Sequence, residues 1–417
     1  MNSKEIVSFD ESASNHVCIV GAGPAGVILS ILLARQGVPV TLLEAQNDFD
    51  RDFRGDTLHA SSLEILQQIG FAEPVLELCH SKIQKFQFTT HEDNITMADF
   101  SILDTAYPYI ALIPQQKFLT FMTDEARKFP NFRLIMNAKF HELIVKGDKV
   151  CGVKYRKDGS EHEVPACLVV GSDGRGSRVR EKAGIKLGKT SPPMDVIWFK
   201  LPRNENMGAE NHTGIQFGSG SMLVILDRGN DLQVGYVIVK GSYKALRENG
   251  IPALKNELIK IAPELEPSLS TLNDWSQCAI LSVVTGRVEQ WYKPGLLLIG
   301  DAAHVMSPVG GVGINYAIQD AVAAANVLTE PLCQKQVTET DLADVQHRRE
   351  RSVRFIQSVQ SLAQKRIIAG ALKSDKAFRP PLIIRILTRF AFFRKRIAKT
   401  MAYGIQPEYL ENRLAKN

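Results

Sequence analysis

The sequence predicts an α/β fold organised around a Rossmann-like strand–helix–strand unit, on the strength of three separated segments. They read VCIVGAGPAGVILSILLARQGVPVTLLEAQ near the N-terminus, VVGSDGRGSRVR in mid-chain and LLLIGDAAHVMSPVGGVGINYAIQDA late. Each is a short apolar run that stops at a turn bearing Gly and Asp, as a buried parallel strand does at the end of a sheet. Any one alone is a weak sign. In this order and spacing they predict a single nucleotide-type cofactor held along most of the chain.

Residues 17–20 predict the first strand, GAGPAG at 21–26 the turn, the apolar run to about residue 36 a helix, and residues 38–43 the second strand, closed by Glu44. This is the G-x-G-x-x-G pattern in its strand–turn–helix setting. Gly21 permits the turn, Gly23 lets the backbone approach a pyrophosphate, and Gly26 lets helix and strand pack closely; Pro24 and Ala25 open the helix, whose N-terminal N–H groups suit phosphate. Glu44 is placed to accept from the hydroxyls of an adenosine ribose and would repel a 2′-phosphate, so this turn suits FAD or NAD rather than NADP.

Residues 168–171 predict another strand, leading into Ser172-Asp173-Gly174-Arg175-Gly176-Ser177-Arg178. Asp173 is a fixed acceptor in a tight turn; by itself the piece is equally a plain strand end. Residues 296–299 predict a third strand, ending at Gly300-Asp301, with Asp301 the natural acceptor for a polyol hydroxyl. Pro308, Gly311, Val312 and Gly313 form a glycine-rich loop before a helix from about Asn315. Free N–H groups at such a helix start form an anion site suited to a reduced flavin. His304, just past the strand, reads as a local hydrogen-bonding or packing residue rather than a chemical one.

The chain has 417 residues, enough for two joined domains, and its 44% hydrophobic content supports a full core. The net charge of +5 is mild and concentrated near the C-terminus. Six scattered cysteines (Cys18, Cys79, Cys151, Cys167, Cys278, Cys333) show no C-x-x-C and no metal spacing, which predicts a reduced, cytoplasmic protein without a metal site. The polar, mixed-charge start MNSKEIVSFDESASN does not read as a signal peptide, and no apolar run approaches the roughly 20 residues that span a bilayer.

At these motifs the chain resembles the group A flavoprotein monooxygenases, the para-hydroxybenzoate hydroxylase-like family, over roughly residues 15–330. The resemblance implies a Rossmann-like FAD-binding domain with an inserted, mostly antiparallel substrate-binding sheet and a C-terminal helical segment. The FAD-binding parts would be 15–80, 111–185 and 281–330, the substrate parts 81–110 and 186–280, and the C-terminal helices 331–417. Runs near 196–201, 215–217, 223–226 and 232–239 would supply the sheet. The resemblance further carries over Arg54, in RGDTLH, as a flavin-contacting arginine, and Gln115, in IPQ before a helix over 118–128, as a contact to the ribityl–pyrophosphate region.

The implied activity is hydroxylation of an aromatic or other lipophilic ring, with NADPH or NADH reducing FAD and O2 reacting at flavin C4a to give a hydroperoxyflavin. The flavin itself is the catalyst; His59, Tyr107 and Tyr109 are candidate pocket residues, with strand-edge packing the plainer reading of the two tyrosines. Alternatives are a ubiquinone-type ring hydroxylase and an FAD-dependent reductase or dehydrogenase that inserts no oxygen. A halogenase is set aside, because no W-x-W-x-I-P segment surrounds Trp198, Trp275 or Trp291.

Residues 341–364 predict a polar helix packed on the core. Residues 365–399 then combine eleven Lys and Arg with a single acid, Asp375, interleaved with Leu382, Ile383, Ile384, Ile386, Leu387, Phe390, Phe392 and Phe393. A helix started by Pro380-Pro381 either packs its apolar face on the protein or lies, over about 380–400, on an anionic membrane at the inner face. Nucleic acid is not expected as a partner.

Overall fold

The computed structural model describes residues 14–50, 57–78, 81–90, 93–204, 213–373 and 378–415. A six-stranded sheet runs, in spatial order, through Tyr292–Lys293, Leu296–Leu298, Leu168–Gly171, Val17–Val20, Val40–Leu43 and Phe132–Ile135. All neighbours are parallel except the first pair. The strands of the three motif segments are therefore consecutive neighbours: Val17 pairs with Leu168, and Val169 with Leu296. Buried on both faces, they have no need of alternating polarity and read as unbroken apolar runs.

Helices cover this sheet and lead to the other parts. They are α1 (Pro24–Arg35), α2 (Ala60–Gln68), α3 (Gln115–Ala126), α4 (Gly250–Ile261), α5 (Gly313–Cys333), α6 (Glu339–Ala363), α7 (Leu382–Leu387) and α8 (Ala391–Tyr403). α1 and α5 pack together on one face, joining the first and third motif segments.

The second strand begins at Val40 rather than at residue 38. Val38 donates to Leu33 O at 3.1 Å and Gly37 takes a φ of +78°, so the residues before Val40 belong to the turn that ends α1.

A seven-stranded sheet stands beyond, in the order Ala279–Ser282, Met194–Pro202, Asp231–Val239, Met222–Asp227, Gly214–Phe217, Lys85–Thr89 and Asn94–Asp99. It is antiparallel except where Gly214 pairs with Gln87 in a parallel ladder. Strand alternation gives it two apolar faces. Ile197, Phe199, Leu223, Ile225 and Val234 pack on α4, while Met194, Val196, Phe217, Met222 and Val237 face the other way.

α6 starts at a capping box in which Thr338 and Asp341 satisfy each other's backbone N–H groups, and it continues into a π-helical turn, Gln364–Ile368. The basic C-terminal stretch is two helices rather than one. Arg394 Nη1 donates to the carbonyls of Thr388 and Arg389, at 2.9 and 3.1 Å, and stabilises the bend between α7 and α8.

Candidate FAD site

The first turn is shaped by close contacts that exclude side chains. Gly21 has a φ of +104°, and a Cβ on Gly26 would lie 2.1 Å from Gly21 O. At Gly23 an added Cβ meets nothing within 4 Å, so this position faces open space at the start of α1. No side chain caps that start, Pro24 occupies its first turn beside Ala25, and no acid lies there. An uncapped, acid-free helix start beside an open glycine is a fit for the pyrophosphate of FAD. Glu44 is buried beside it: its Oε2 accepts the Ala22 N–H and its Oε1 the Gln46 N–H, both at 3.0 Å. These bonds fix the Glu44 carboxylate next to the turn.

Asp173 acts within its own segment. Its carboxylate accepts from Ser177 Oγ and from the N–H groups of Arg178 and Val179, at 2.8 and 3.0 Å for the last two, and so ties down the start of the short helix Arg178–Lys182. Burial pushes its carboxyl up, against the pull of those hydrogen bonds. From that helix Arg180 reaches across: Nη1 donates to Ala302 O at 2.8 Å and Nη2 to Arg175 O at 2.9 Å. Arg180 was not singled out from the sequence, yet it joins the second motif segment to the third, one residue from Asp301.

Asp301 lies half-buried in the 3₁₀ turn Gly300–Ala302. Beneath that turn, Asp320 of α5 accepts the Gly300 N–H at 2.9 Å, His304 Nε2 at 2.6 Å and Arg349 Nε at 2.9 Å. Asp320, His304 and Arg349 are all almost fully buried. Burial works against the Asp320 carboxylate, but His304 and Arg349 outweigh it and hold Asp320 below the ordinary carboxylate range. His304 is thus a member of a buried ion network that supports the Asp301 turn.

The loop Pro308–Gly313 contains the 3₁₀ turn Val309–Gly311, with Gly310 and Gly311 at φ +82° and +61°. Thr57 Oγ1 donates to Gly311 O at 2.7 Å. Val312 and Gly313 begin α5, again with no side-chain cap and no acid in the first turn. Asn315 binds the frame: its Oδ1 accepts the His59 N–H at 2.8 Å and Ser62 Oγ at 2.7 Å, and its Nδ2 donates to Thr57 O at 3.1 Å. It links the Thr57–Ser62 stretch to the third segment across more than 250 residues. Gln115 is half-buried at the first position of α3, after the strand Ile110–Leu112. Arg54 lies outside the described residues.

The candidate pocket residues fall elsewhere than the loop. His59 is fully buried, its Nδ1 2.7 Å from Met401 O, and burial lowers its pKa to about 4, so it is neutral at pH 7. Tyr107 and Tyr109 sit edge to face in the larger core, with Lys82 Nζ 4.6 Å above the Tyr109 ring. What meets the loop is the inner face of the seven-stranded sheet: Val309 packs against the cluster of Phe88, Met194, Phe217 and Met222. Ile367 and Ile368 of the π-turn join the same cluster.

A row of glutamines on α6 and its extension holds the backbone leading to that loop. Gln346 Nε2 donates to Glu289 O at 2.7 Å, Gln357 Nε2 to Gly286 O at 3.0 Å, Gln360 Nε2 to Val309 O at 2.8 Å and Gln364 Nε2 to Ser307 Oγ at 2.6 Å. The sequence reading took this helix only as a core-packing one. The signal was available in the spacing of Gln357, Gln360 and Gln364, which places three amides on one helix face.

The arrangement is that of a dinucleotide-binding βαβ unit whose late glycine-rich loop meets an apolar sheet face. A family model described as FAD binding domain matches residues 14–359. The chain belongs to this family, that of the group A flavoprotein monooxygenases. It is an FAD-dependent oxidoreductase of the monooxygenase class.

It is 32% identical over 399 residues to a 6-methylpretetramide 4-monooxygenase of Streptomyces rimosus, covering 95% of this chain and 94% of that one. It is 28% identical over 330 residues to a pentachlorophenol 4-monooxygenase of Sphingobium chlorophenolicum, covering 77% of this chain and 59% of that protein. The crystal structure of a probable FAD-dependent monooxygenase from Pseudomonas aeruginosa superposes with a TM-score of 0.74 at 19% identity, over 86% of this chain and all of that one; at that identity the likeness shows the fold alone.

Among the described residues no group of His, Cys, Asp or Glu is arranged to hold a metal, and no helix is long and apolar enough to cross a membrane.

Proposed function

We propose that this protein hydroxylates a lipophilic aromatic ring substrate, with NADPH or NADH as reductant and O2 as the oxygen source. The observation that carries this reading is the contact of Val309, in the glycine-rich loop, with the Phe88, Met194, Phe217 and Met222 face of the seven-stranded sheet. FAD, when bound, supplies the hydride acceptor and the site of oxygen activation. The protein's own residues do the rest. Gly23, the start of α1 and Glu44 hold the adenosine and pyrophosphate; Asp301 accepts from the ribityl chain; the uncapped start of α5 favours negative charge on the reduced ring. Gln115, and Arg54 outside the described residues, complete the proposed cofactor set.

The sheet face binds the substrate ring and keeps out water. Met194 and Met222 suit it to a flat, polarizable ligand, because thioethers adapt to aromatic surfaces. His59 belongs to the frame in this reading, since its Nδ1 is engaged by Met401 and burial keeps it neutral. A reducing, intracellular setting is part of the proposal, supported by the thiols of Cys151, Cys167, Cys278 and Cys333, which form no disulfide among the described residues.

The test uses the FAD-loaded protein with a panel of mono- and polycyclic phenols and quinone precursors. The expected result is NAD(P)H oxidation stimulated by one class of ligand, matched by O2 uptake, with one atom from ¹⁸O2 found in the product by mass spectrometry. Turnover that proceeds without oxygen and yields a reduced, unoxygenated product would replace this reading with that of a reductase.

A further inference from the structure

The described chain exposes eleven large hydrophobic residues, and five of them, Leu382, Ile383, Ile386, Phe390 and Phe392, fall within one short stretch. α7, of sequence LIIRIL, has no buried residue at all. An apolar helix left in water is an unfavourable arrangement for a chain folded alone, and such patches mark contact surfaces. Leu382, Ile383 and Ile386 share one side of α7, while Arg385, itself partly exposed, pairs with Asp93 at 2.5 Å. On α8 the exposed stripe is Phe392, Lys395, Arg396 and Lys399, spaced as one helical face; Ala398 and Ala402 lie buried on the other, flanked by Ile397 and Met401 against the core.

Charge completes the surface. Seven of the chain's 50 Lys and Arg and none of its 45 Asp and Glu lie in residues 378–407, so the remainder of the chain is net acidic by two. The whole positive excess of the molecule is thus gathered around its largest run of exposed apolar side chains.

We infer that α7 and the first turns of α8 form a docking surface for an anionic lipid bilayer, with Leu382, Ile383, Ile386, Phe390 and Phe392 inserted at the level of the headgroups and Arg389, Lys395, Arg396 and Lys399 against lipid phosphates. A bilayer surface offers dense negative charge and an apolar layer a few ångströms below it, the two chemistries that these side chains combine. A second copy of this chain fits poorly, because a two-fold contact through this face would set the exposed Arg389, Lys395, Arg396 and Lys399 of one copy against those of the other. A nucleic acid would match the charge and leave the aliphatic residues of α7 in water.

The surface is continuous with the chamber. Phe378, just before α7, stacks on Phe217 of the inner sheet face at 4.3 Å between ring centroids. A lipophilic substrate dissolved in the bilayer would therefore meet the protein beside the sheet proposed to bind it. That last clause rests on the hydroxylase reading; the docking itself does not.

The test is co-sedimentation of the full-length, FAD-loaded protein with vesicles of equal parts phosphatidylcholine and phosphatidylglycerol, against vesicles of phosphatidylcholine alone. Two variants are run beside the wild type: Phe390→Ser with Phe392→Ser, and Lys395→Glu with Arg396→Glu. All four side chains are exposed or point to solvent, and bound-flavin absorbance confirms that each variant is folded. The expected result is binding to the anionic vesicles only, weakened about tenfold or more by each variant, and weakened by salt. Equal partition of the wild type and both variants, or no binding to the anionic vesicles, overturns the inference. So does sedimentation velocity showing a dimer that Phe390→Ser with Phe392→Ser dissolves, which would assign the surface to a second copy. If the wild type binds vesicles yet oxygenates nothing, the docking stands and only the hydroxylase reading falls.

Discussion

Gln360 pairs with the backbone of Ser307 much as a neighbouring strand would: its Oε1 accepts the Ser307 N–H at 3.2 Å and its Nε2 donates to Ser307 O at 3.0 Å. The same Nε2 reaches Val309 O at 2.8 Å, so one buried side chain from α6 holds the loop that faces the sheet. Replacing Gln360 by Leu leaves these buried backbone groups unsatisfied, at a cost of about 1–3 kcal/mol. The expected outcome is FAD binding weakened by roughly tenfold or more, read by flavin-fluorescence titration of the apoprotein, with Gln360→Glu no better than Gln360→Leu, because a carboxylate oxygen in place of Nε2 faces the Ser307 and Val309 carbonyls with nothing to donate.

Gly23 and Gly26 separate cofactor binding from folding. Gly26→Ala drives a Cβ to 2.1 Å from Gly21 O, a backbone atom that cannot yield, and is expected to destabilise the apoprotein by at least ~1–3 kcal/mol. Gly23→Ala meets only open space, so its apoprotein should unfold in urea within about 1 kcal/mol of the wild type. Its FAD affinity should nevertheless fall by about tenfold or more, because the methyl group occupies the approach of the pyrophosphate. Equal FAD affinity in Gly23→Ala and wild type would remove this turn from the cofactor site.

Asp320 is engaged on both oxygens, by Arg349 on one and by His304 and the Gly300 N–H on the other. Asp320→Asn strips the counter-charge from fully buried Arg349 and one acceptor from the Gly300 N–H, with an expected loss of about 3–5 kcal/mol in urea unfolding. Its carboxyl is depressed in the fold, so the stability that it contributes is present above the unfolded value of about 4 and is lost as pH falls below that toward the folded value.

His59 titrates in the other direction of charge. Its pKa in the fold is about 4 against 6.5 for the free group, so between those values the unfolded chain binds a proton that the folded protein does not. Stability from this site is complete above about pH 6.5 and falls as pH drops toward 4, by roughly 3 kcal/mol in total. In His59→Gln that part of the slope should vanish, measured as the difference in urea-unfolding free energy between the two proteins across this range.

Phe217 lies between the inner sheet face and Phe378. Phe217→Ala should enlarge the proposed substrate chamber and raise KM for the productive ligand by about tenfold, with FAD content unchanged. Loss of water exclusion should also raise the fraction of NAD(P)H consumed that appears as peroxide, measured by catalase-coupled O2 uptake.

Much of the cofactor site was legible in the chain because it is built from local constraints. Gly21, Gly26 and Gly311 stand where a side chain would strike backbone or Thr57, and the apolar runs at Val17–Val20, Leu168–Gly171 and Leu296–Leu298 are continuous because both their faces are covered. Such features need only the nearest residues to be recognised. The boundaries slipped where a turn borrowed residues from a strand, as at Val38.

What only the tertiary structure decided are relationships between distant residues. Alternation along Met194–Pro202 shows that two faces exist, but not that Met194 and Val196 face the loop while Ile197 and Phe199 face α4, because a shift of one residue exchanges the sets. Arg180 on Ala302, Asn315 between Thr57 and His59, and Gln360 on Ser307 are polar side chains whose sequence neighbours say nothing of their partners. The sequence by itself determined three apolar strands that each end in a glycine-bearing turn, since short-range sterics and burial leave such patterns few other readings. The packing of the chain determined which polar groups brace those turns and which sheet face meets the late loop, since both depend on long-range contacts that no local pattern encodes.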